Sequence, residues 1–187
     1  MLVIFGFALL VLAVGMVALF AMFGELSARV AQAAPQTRSA EIIPLENTRL
    51  GHVPGSWPAE LAGLRENLSV LLVLSSACAS CEDIAGQLRA NPGFAARNEM
   101  GIVVSTAHPG TGEDFAARYG LKQFSHYIDD GGTWVTGEFG VQSSPCALVL
   151  DNGRLVASYI FHDVGALQAR LSQLAAAGAP EPHREAV

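Results

Sequence analysis

The sequence has few of the residues that hold metal ions or nucleic acids. Its 187 residues include three cysteines and five histidines, and the histidines are scattered singly. A structural zinc site takes four ligands, usually from a second C-x-x-C or a histidine cluster, so little in the sequence supports one. The formal net charge is −6 and no basic cluster occurs, which argues against a nucleic-acid partner. We therefore predict no metal, no other cofactor and no nucleic-acid partner.

Charge is also scarce, at 15% of residues, and it is absent from the 22 residues between Leu2 and Phe23. Such a run, as a helix rising about 1.5 Å per residue, is long enough to cross a hydrocarbon core of about 30 Å. The alternative is a cleaved secretory signal ending near Ala31-Gln32-Ala33. The positive start of such a signal is missing and the apolar run is too long for one. We predict an uncleaved transmembrane helix over residues 1–24.

The residues after this helix predict a linker and then one domain. Residues 25–47 are rich in Ala, Pro, Thr, Ser and Gln and lack sustained apolar periodicity, which is typical of a stalk. Near its end, Ile42, Ile43 and Leu45 are expected to form a short edge strand or to pack on the domain surface. The domain is predicted over residues 48–176, with a flexible polar tail over residues 177–187.

The motif that can carry chemistry is Cys78-Ala79-Ser80-Cys81. An apolar run precedes it and apolar residues at helical spacing follow it, a pattern that predicts a buried strand leading into a helix. Cysteines three apart on a first helical turn can close a disulfide with little backbone movement. The helix N-terminus favours a thiolate at Cys78. This spacing alone is compatible with a redox pair, with half of a metal site and with unreactive cysteines.

The rest of the domain shows alternating strand and helix patterns. A strand is predicted at residues 100–105, a helix at 113–121, a strand at 126–129 and a short helix at 131–139. Asn152-Gly153 is a strong signal for a two-residue hairpin, here between strands at residues 146–150 and 155–161. A helix over residues 164–176 closes the domain.

Three features in this order resemble the membrane-anchored thioredoxin-fold proteins, such as the disulfide reductases of cytochrome-c maturation and the accessory thioredoxins of methylamine utilisation. They are the strand before the C-x-x-C, the stretch from Phe139-Gly140-Val141 to Ser144-Pro145, and the Asp151-Asn152-Gly153 hairpin closed by a helix. The resemblance covers about residues 41–176. It implies an α/β thioredoxin-like fold, a central mixed sheet with flanking helices, preceded by one N-terminal transmembrane helix.

The resemblance also assigns roles to residues. It implies that Cys78 is the attacking thiol and Cys81 the resolving thiol. The bond before Pro145 is expected to be cis, which costs an X-Pro bond only about 0.5–1 kcal/mol; the alternative is a trans proline that begins an edge strand. The backbone of Ser144 is then expected to hydrogen-bond an extended substrate strand, as in β-strand addition.

The sequence departs from the family pattern around the motif. Ala77 stands where an aromatic residue usually precedes the first cysteine. Leu72 stands where thioredoxins keep a buried acid that relays the proton of the resolving thiol. Ala79-Ser80 supplies neither a histidine nor a proline between the cysteines. The site is therefore expected to be less shielded than in the family and to lack the usual proton relay.

Acidic residues next to the motif affect the expected direction of electron flow. Glu82 and Asp83 follow Cys81 directly, and their charges oppose a thiolate nearby. We expect the pKa of Cys78 to lie nearer about 7 than the very low value of strong oxidants. A pair without extra thiolate stabilisation is a reductant rather than an oxidant.

The third cysteine, Cys146, follows Pro145 directly and has three compatible roles. It can pack as a small buried residue, form a regulatory or alternative disulfide with Cys78, or join Cys78, Cys81 and a nearby histidine in a metal cluster. The histidines show no partner pattern, and Asp129-Asp130 is expected to be solvated charge.

Together these features predict a membrane-tethered thiol-disulfide oxidoreductase that reduces disulfides in protein partners and is itself reduced by an upstream thiol donor. The alternative is a non-enzymatic thioredoxin-like assembly factor, or a metal or cofactor chaperone. A tethered dithiol is most useful outside the cytoplasm, where disulfides persist, so we expect the domain there. Arg29 and Arg38, the positive residues nearest the predicted helix, argue for the opposite orientation.

Overall fold

The structure, a computed structural model, describes residues 41–94 and 99–177 together with Gly6 and Met16. The chain divides into two compact units, residues 1–38 and 39–187, and in the first unit the two described residues are helical. No helix within the described residues is long and apolar enough to cross a bilayer. The predicted transmembrane helix over residues 1–24 lies outside them, apart from Gly6 and Met16.

The described residues of the second unit form a mixed sheet of six strands. They are β1 (Ile43–Pro44), β2 (Leu68–Ser75), β3 (Glu99–Thr106), β4 (Ser125–Asp130), β5 (Cys146–Asp151) and β6 (Arg154–Ile160). The order across the sheet is β1-β6-β5-β2-β3-β4. The pairs β2–β3 and β3–β4 are parallel, while β2–β5, β5–β6 and β1–β6 are antiparallel. The short edge strand predicted around Ile43 is therefore β1.

Helices connect the strands and cover both faces of the sheet. They are α1 (Ala79–Ala90), α2 (Thr111–Arg118), α3 (Thr133–Phe139) and α4 (Val164–Ala177), with 3-10 helices at Ala59–Arg65 and Leu121–Gln123. The helix predicted at residues 113–121 ends at Arg118, because Gly120 adopts a left-handed conformation with φ 69°. The other strands and helices predicted between residues 100 and 176 are present, with small shifts at their ends.

The central strand β2 is buried on both faces, which is why it reads as a continuous apolar run. Leu72 and Leu74 belong to a core that also contains apolar residues of α1, α2 and α4. Leu71 and Val73 belong to a second core on the opposite face, with residues of α3 and the first 3-10 helix. The sheet thus separates two hydrophobic cores, and its central strand contributes to both.

The β5–β6 hairpin has the predicted two-residue turn at Asn152 and Gly153. Both residues have positive φ, 50° and 74°, which is the geometry of a type I′ turn and suits Asn-Gly. Trp57 packs against the second core and makes edge-on contacts with Trp134 and Phe139, as expected of a residue that fills part of the core.

Asp129 is not solvated, contrary to the sequence-based expectation. Asp129 is only 1% exposed. Its two carboxylate oxygens accept hydrogen bonds from the backbone N–H groups of Trp134, at 3.1 Å, and Val135, at 2.9 Å. These are among the N–H groups that a helix leaves without an internal partner at its start. Asp129 therefore fixes the N-terminus of α3 against β4, whereas Asp130 is exposed.

Replacing Asp129 with alanine should lower the free energy of unfolding by about 2 kcal/mol, because two buried N–H groups lose their acceptors. Urea denaturation of the full chain measures this. The neighbouring exposed variant Asp130→Ala is the matched control and should change stability by less than about 0.5 kcal/mol. Equal effects of the two substitutions would contradict the capping role.

Candidate active site

The C-x-x-C motif lies where β2 gives way to α1. The Cys78 backbone N–H donates to the carbonyl of Ser75 at 3.3 Å and closes the turn after β2. Cys78 has an extended backbone, with φ −115° and ψ 116°, and is the N-cap residue of α1. The sulfur of Cys78 is thereby directed at the free backbone donors of the first helical turn.

Several hydrogen bonds involve the half-buried sulfur of Cys78. The backbone N–H of Cys81 donates to it at 3.3 Å, and the Cys78 thiol donates to the Ser80 hydroxyl oxygen at 3.7 Å. Burial alone would raise the pKa of Cys78. Hydrogen bonds from the side chain and backbone of Cys81, and from the side chains of Ser80 and Ser144, outweigh burial and hold this pKa below its ordinary value. Cys78 is thus the thiol that ionises more readily.

Cys81 has the opposite character. It is fully buried, and burial together with the hydrogen bond to Cys78 raises its pKa to about 12. The two cysteines of one motif therefore differ in both access and acidity, as the predicted roles of attacking and resolving thiol require.

The structure brings Ser144 and Pro145 to this pair. The Ser144–Pro145 peptide bond is cis, and the Ser144 carbonyl oxygen lies 3.7 Å from the Cys78 sulfur. Pro145 itself is buried, while Gln142 and Ser143 just before it are exposed. The residues predicted to attack, to resolve and to bind substrate therefore lie in one place.

One acidic residue of α1 has a tertiary partner that the sequence did not reveal. The Glu82 side chain hydrogen-bonds the Tyr119 side chain, at the end of α2. The largest influences on the pKa of Cys78 are burial and the hydrogen bonds of Cys81, Ser80 and Ser144. These neutral groups therefore set the direction in which the pKa of Cys78 shifts.

Cys146 is fully buried in the core on the other face of the sheet from α1. It pairs with Val73 in the register of β5 and β2, and burial raises the pKa of its thiol. This placement favours the packing role among the three roles that the sequence left open. Within residues 41–94 and 99–177, no group of three or more His, Cys, Asp or Glu side chains is arranged to hold a metal ion.

Sequence reasoning missed a cavity beside the motif, lined by both hydroxyl-bearing and apolar side chains. It has a volume of about 290 Å³ and lies on the face of the sheet away from α1. Its polar lining includes Ser75, Ser105, Thr136 and Ser144. These serines come from separate strands and loops, and only the strand register, which the sequence does not state, brings them together.

Comparison with known proteins supports the fold. The sequence matches no protein-family model and no curated protein. A candidate protein disulfide isomerase from Bacteroides thetaiotaomicron is similar in structure, with a TM-score of 0.51 and 13% identity over 68% of this chain and 88% of that chain. A secreted disulfide oxidoreductase from Mycobacterium tuberculosis has a TM-score of 0.49 and 20% identity, over 60% and 86% of the two chains. A thioredoxin-like protein from Aeropyrum pernix has a TM-score of 0.46 and 16% identity, over 79% and 99%.

The strand order of this chain and its likeness to the Bacteroides thetaiotaomicron structure support the same fold. The described part of the second unit has a central mixed sheet, flanking helices and a cis-proline beside the C-x-x-C. The predicted thioredoxin-like α/β fold is confirmed.

The hydrogen bonds at Cys78 generate a prediction about its titration. A thiol becomes reactive as pH rises through its pKa, so alkylation of Cys78 should reach half its maximal rate below pH 9.0, the ordinary value. The variant Cys81→Ala removes a side-chain donor and should move this midpoint to higher pH. Rates of iodoacetamide modification, assigned to each cysteine by mass spectrometry, measure the midpoint.

Cys81→Ser is the matched control, since its hydroxyl still donates, and its midpoint should lie nearer that of the unsubstituted chain. Cys146 should remain unmodified in the folded protein. A midpoint that does not move in Cys81→Ala would show that the Cys81 side chain does not stabilise the thiolate.

Proposed function

We propose that this chain is a membrane-tethered thiol-disulfide oxidoreductase that reduces disulfides in protein partners through Cys78 and Cys81. The observation that carries the proposal is the asymmetry of the pair. One sulfur is accessible and held by donors that favour a thiolate, and the other is buried and protonated within hydrogen-bond reach. Structural cysteines in a core have no need of such an arrangement.

The first step is attack by the Cys78 thiolate on a disulfide of the partner. A new S–S bond joins Cys78 to one partner sulfur, and the other partner sulfur leaves with the electron pair of the broken bond and takes up a proton. The backbone donors at the start of α1 stabilise the thiolate before this attack.

In the second step, Cys81 loses its proton and attacks the Cys78 sulfur. The Cys78–Cys81 disulfide forms, the second partner sulfur leaves as a thiolate and is protonated, and the partner has gained two electrons. An upstream thiol donor then reduces the Cys78–Cys81 disulfide. No cofactor takes part in either step.

The partner is proposed to lie along residues 142–144 as an extended strand. Gln142 and Ser143 are exposed, and the Ser144 carbonyl lies beside the attacking sulfur. Backbone hydrogen bonds to Ser144 would hold a partner strand with its disulfide near Cys78, without demanding a particular side chain.

The membrane anchor and its orientation are part of the proposal. Their support is the uncharged run from Leu2 to Phe23 and the value of a tethered dithiol where disulfides persist. The domain is placed on the extracytoplasmic side, against the weak opposing bias of Arg29 and Arg38.

Replacing Cys81 with serine should trap the partners. The mixed disulfide at Cys78 then lacks its resolving thiol, so covalent adducts should accumulate in the membrane fraction and disappear on reduction with dithiothreitol. Non-reducing electrophoresis followed by mass spectrometry identifies them. Treating intact cells beforehand with a maleimide that does not cross membranes should prevent the adducts, because it blocks an extracytoplasmic Cys78.

The double variant Cys78→Ser, Cys81→Ser is the control and should form no adducts. A non-enzymatic binding module would give no adducts in either variant. Adducts that form despite the maleimide would place the domain on the cytoplasmic side and leave the chemistry intact.

The reducing direction predicts the potential of the couple. Thiolate stabilisation raises the potential, but the motif has no histidine and the groups that lower the pKa of Cys78 are neutral hydrogen-bonding groups. The Cys78/Cys81 couple is therefore expected below about −180 mV, the value of protein disulfide isomerase. Equilibration with glutathione buffers and quantification of the oxidised fraction gives this potential. A value above that limit would reverse the proposed direction.

A further inference from the structure

The second step of the proposed reaction requires a route for the proton of Cys81. Cys81 is fully buried, and burial together with Cys78 raises its pKa to about 12. Leu72, at the position of the acid of thioredoxins, is fully buried in the apolar core. The proton must therefore leave by a path that does not use a carboxylate at this position.

The apolar surroundings of Cys81 offer its proton no path in the mixed disulfide. Cys81 belongs to the apolar core that also contains Leu72, Ile84 and Ala85. The Cys78 sulfur, which hydrogen-bonds Cys81 in the reduced pair, carries the partner in this intermediate. The polar groups that remain beside Cys81 are the backbone of Ser75 and the side chain of Ser144, both of which hydrogen-bond it.

Ser75 and Ser144 also line the cavity of about 290 Å³ on the opposite face of the sheet. Several of its lining residues, Gly131, Gln142 and Ser143, are exposed, so the cavity opens to the surface. No charged side chain lines it, and hydroxyl groups are frequent in its wall. A cavity of this size with several hydroxyl groups in its wall accommodates water with hydrogen-bond partners.

Strand register places the hydroxyl groups in a row. Ser75 of β2 pairs with Ser105 of β3, and Ser105 pairs with Asp129 of β4. Paired residues of neighbouring strands project from the same face of a sheet. The row therefore runs from beside Cys81 across the cavity to the buried carboxylate that holds the start of α3.

We propose that this cavity is the exit path of the Cys81 proton, with the hydroxyl groups of Ser75 and Ser105 holding the water that carries it. This inference rests on the proposed function. The S–H bond of Cys81 breaks, the proton passes to cavity water and then to solvent, and the electron pair stays on the sulfur to form the bond to Cys78. The partner sulfur leaves with the pair of the broken disulfide.

The charged and titratable groups around this path are few. The Cys78 thiol hydrogen-bonds Cys81, and the Cys146 thiol interacts with it electrostatically. Asp129 stands at the far end of the row with both oxygens occupied by α3. From α1, Glu82 bonds Tyr119 instead. Cavity water is therefore the proposed first acceptor of the proton.

The test separates the two steps with Ellman's reagent. Attack by Cys78 on the reagent releases one thionitrobenzoate, and attack by Cys81 on the resulting mixed disulfide releases a second. In Ser105→Ala and Ser105→Val the first release should be unchanged, and the second should slow by about threefold and about tenfold near neutral pH. Ser105→Thr, which keeps a hydroxyl, should restore the rate towards that of the unsubstituted chain.

The pH profile distinguishes a proton path from a structural role. The defect in Ser105→Ala should shrink as pH rises, because hydroxide takes the proton without an ordered path, whereas a structural defect would persist at every pH. Ser125→Ala, an exposed hydroxyl of β4 outside the cavity, is the control and should leave both releases unchanged.

Each outcome decides between the two proposals. If the unsubstituted chain gives two releases and the Ser105 variants match it at every pH, the proton path is wrong and the proposed function stands. If the unsubstituted chain gives only the first release, Cys81 does not resolve, and both proposals fail. Should Ser105→Val not fold, Ser105→Ala and its pH profile decide alone.

Discussion

The backbone N–H of Cys81 donates to the sulfur of Cys78, and the rest of the site depends on this contact. It requires Cys78 to be extended at the helix N-cap, which in turn requires β2 to end at Ser75 and α1 to begin at Ala79. The same contact lowers the pKa of Cys78 and holds its sulfur beside Cys81. One hydrogen bond thus links the strand-to-helix junction to the difference between the two thiols.

The central sheet divides the surroundings of the pair into two environments. The face covered by α1 and α4 is apolar and buries Cys81. The other face ends in serines and a cavity near the surface. Because β2 contributes side chains to both faces in alternation, Leu72 and Ser75 of the same strand present the pair with an apolar side and a polar side. Burial in the apolar face therefore keeps the Cys81 thiol protonated, while the other face offers it polar contacts.

Local patterns carried most of the fold prediction. The apolar run before Cys78 and the helical spacing after it are local signals, and both elements formed where they were expected. The hairpin at Asn152-Gly153 is equally local. The cis bond before Pro145 followed from the family resemblance, since periodicity contains no information about it.

What escaped prediction depends on contacts between distant elements. Glu82 is drawn to Tyr119 because α1 and the end of α2 lie side by side, and charge spacing along one helix does not reveal this. The charge of Asp129 and its acidic neighbour predict a solvated side chain, although an aspartate shortly before a helix is also a capping signal. The row of Ser75 and Ser105 required the register of two parallel strands, which no short motif specifies.

The placement of Cys146 has a consequence for the fidelity of the pair. Its sulfur packs in the core across the sheet from α1, although it is only one residue away from the proline that adjoins the motif. Burial also raises the pKa of this thiol and so keeps it protonated. Because the thiolate is the form that attacks a disulfide, a third thiol so close in sequence to the reactive pair is kept less reactive than Cys78.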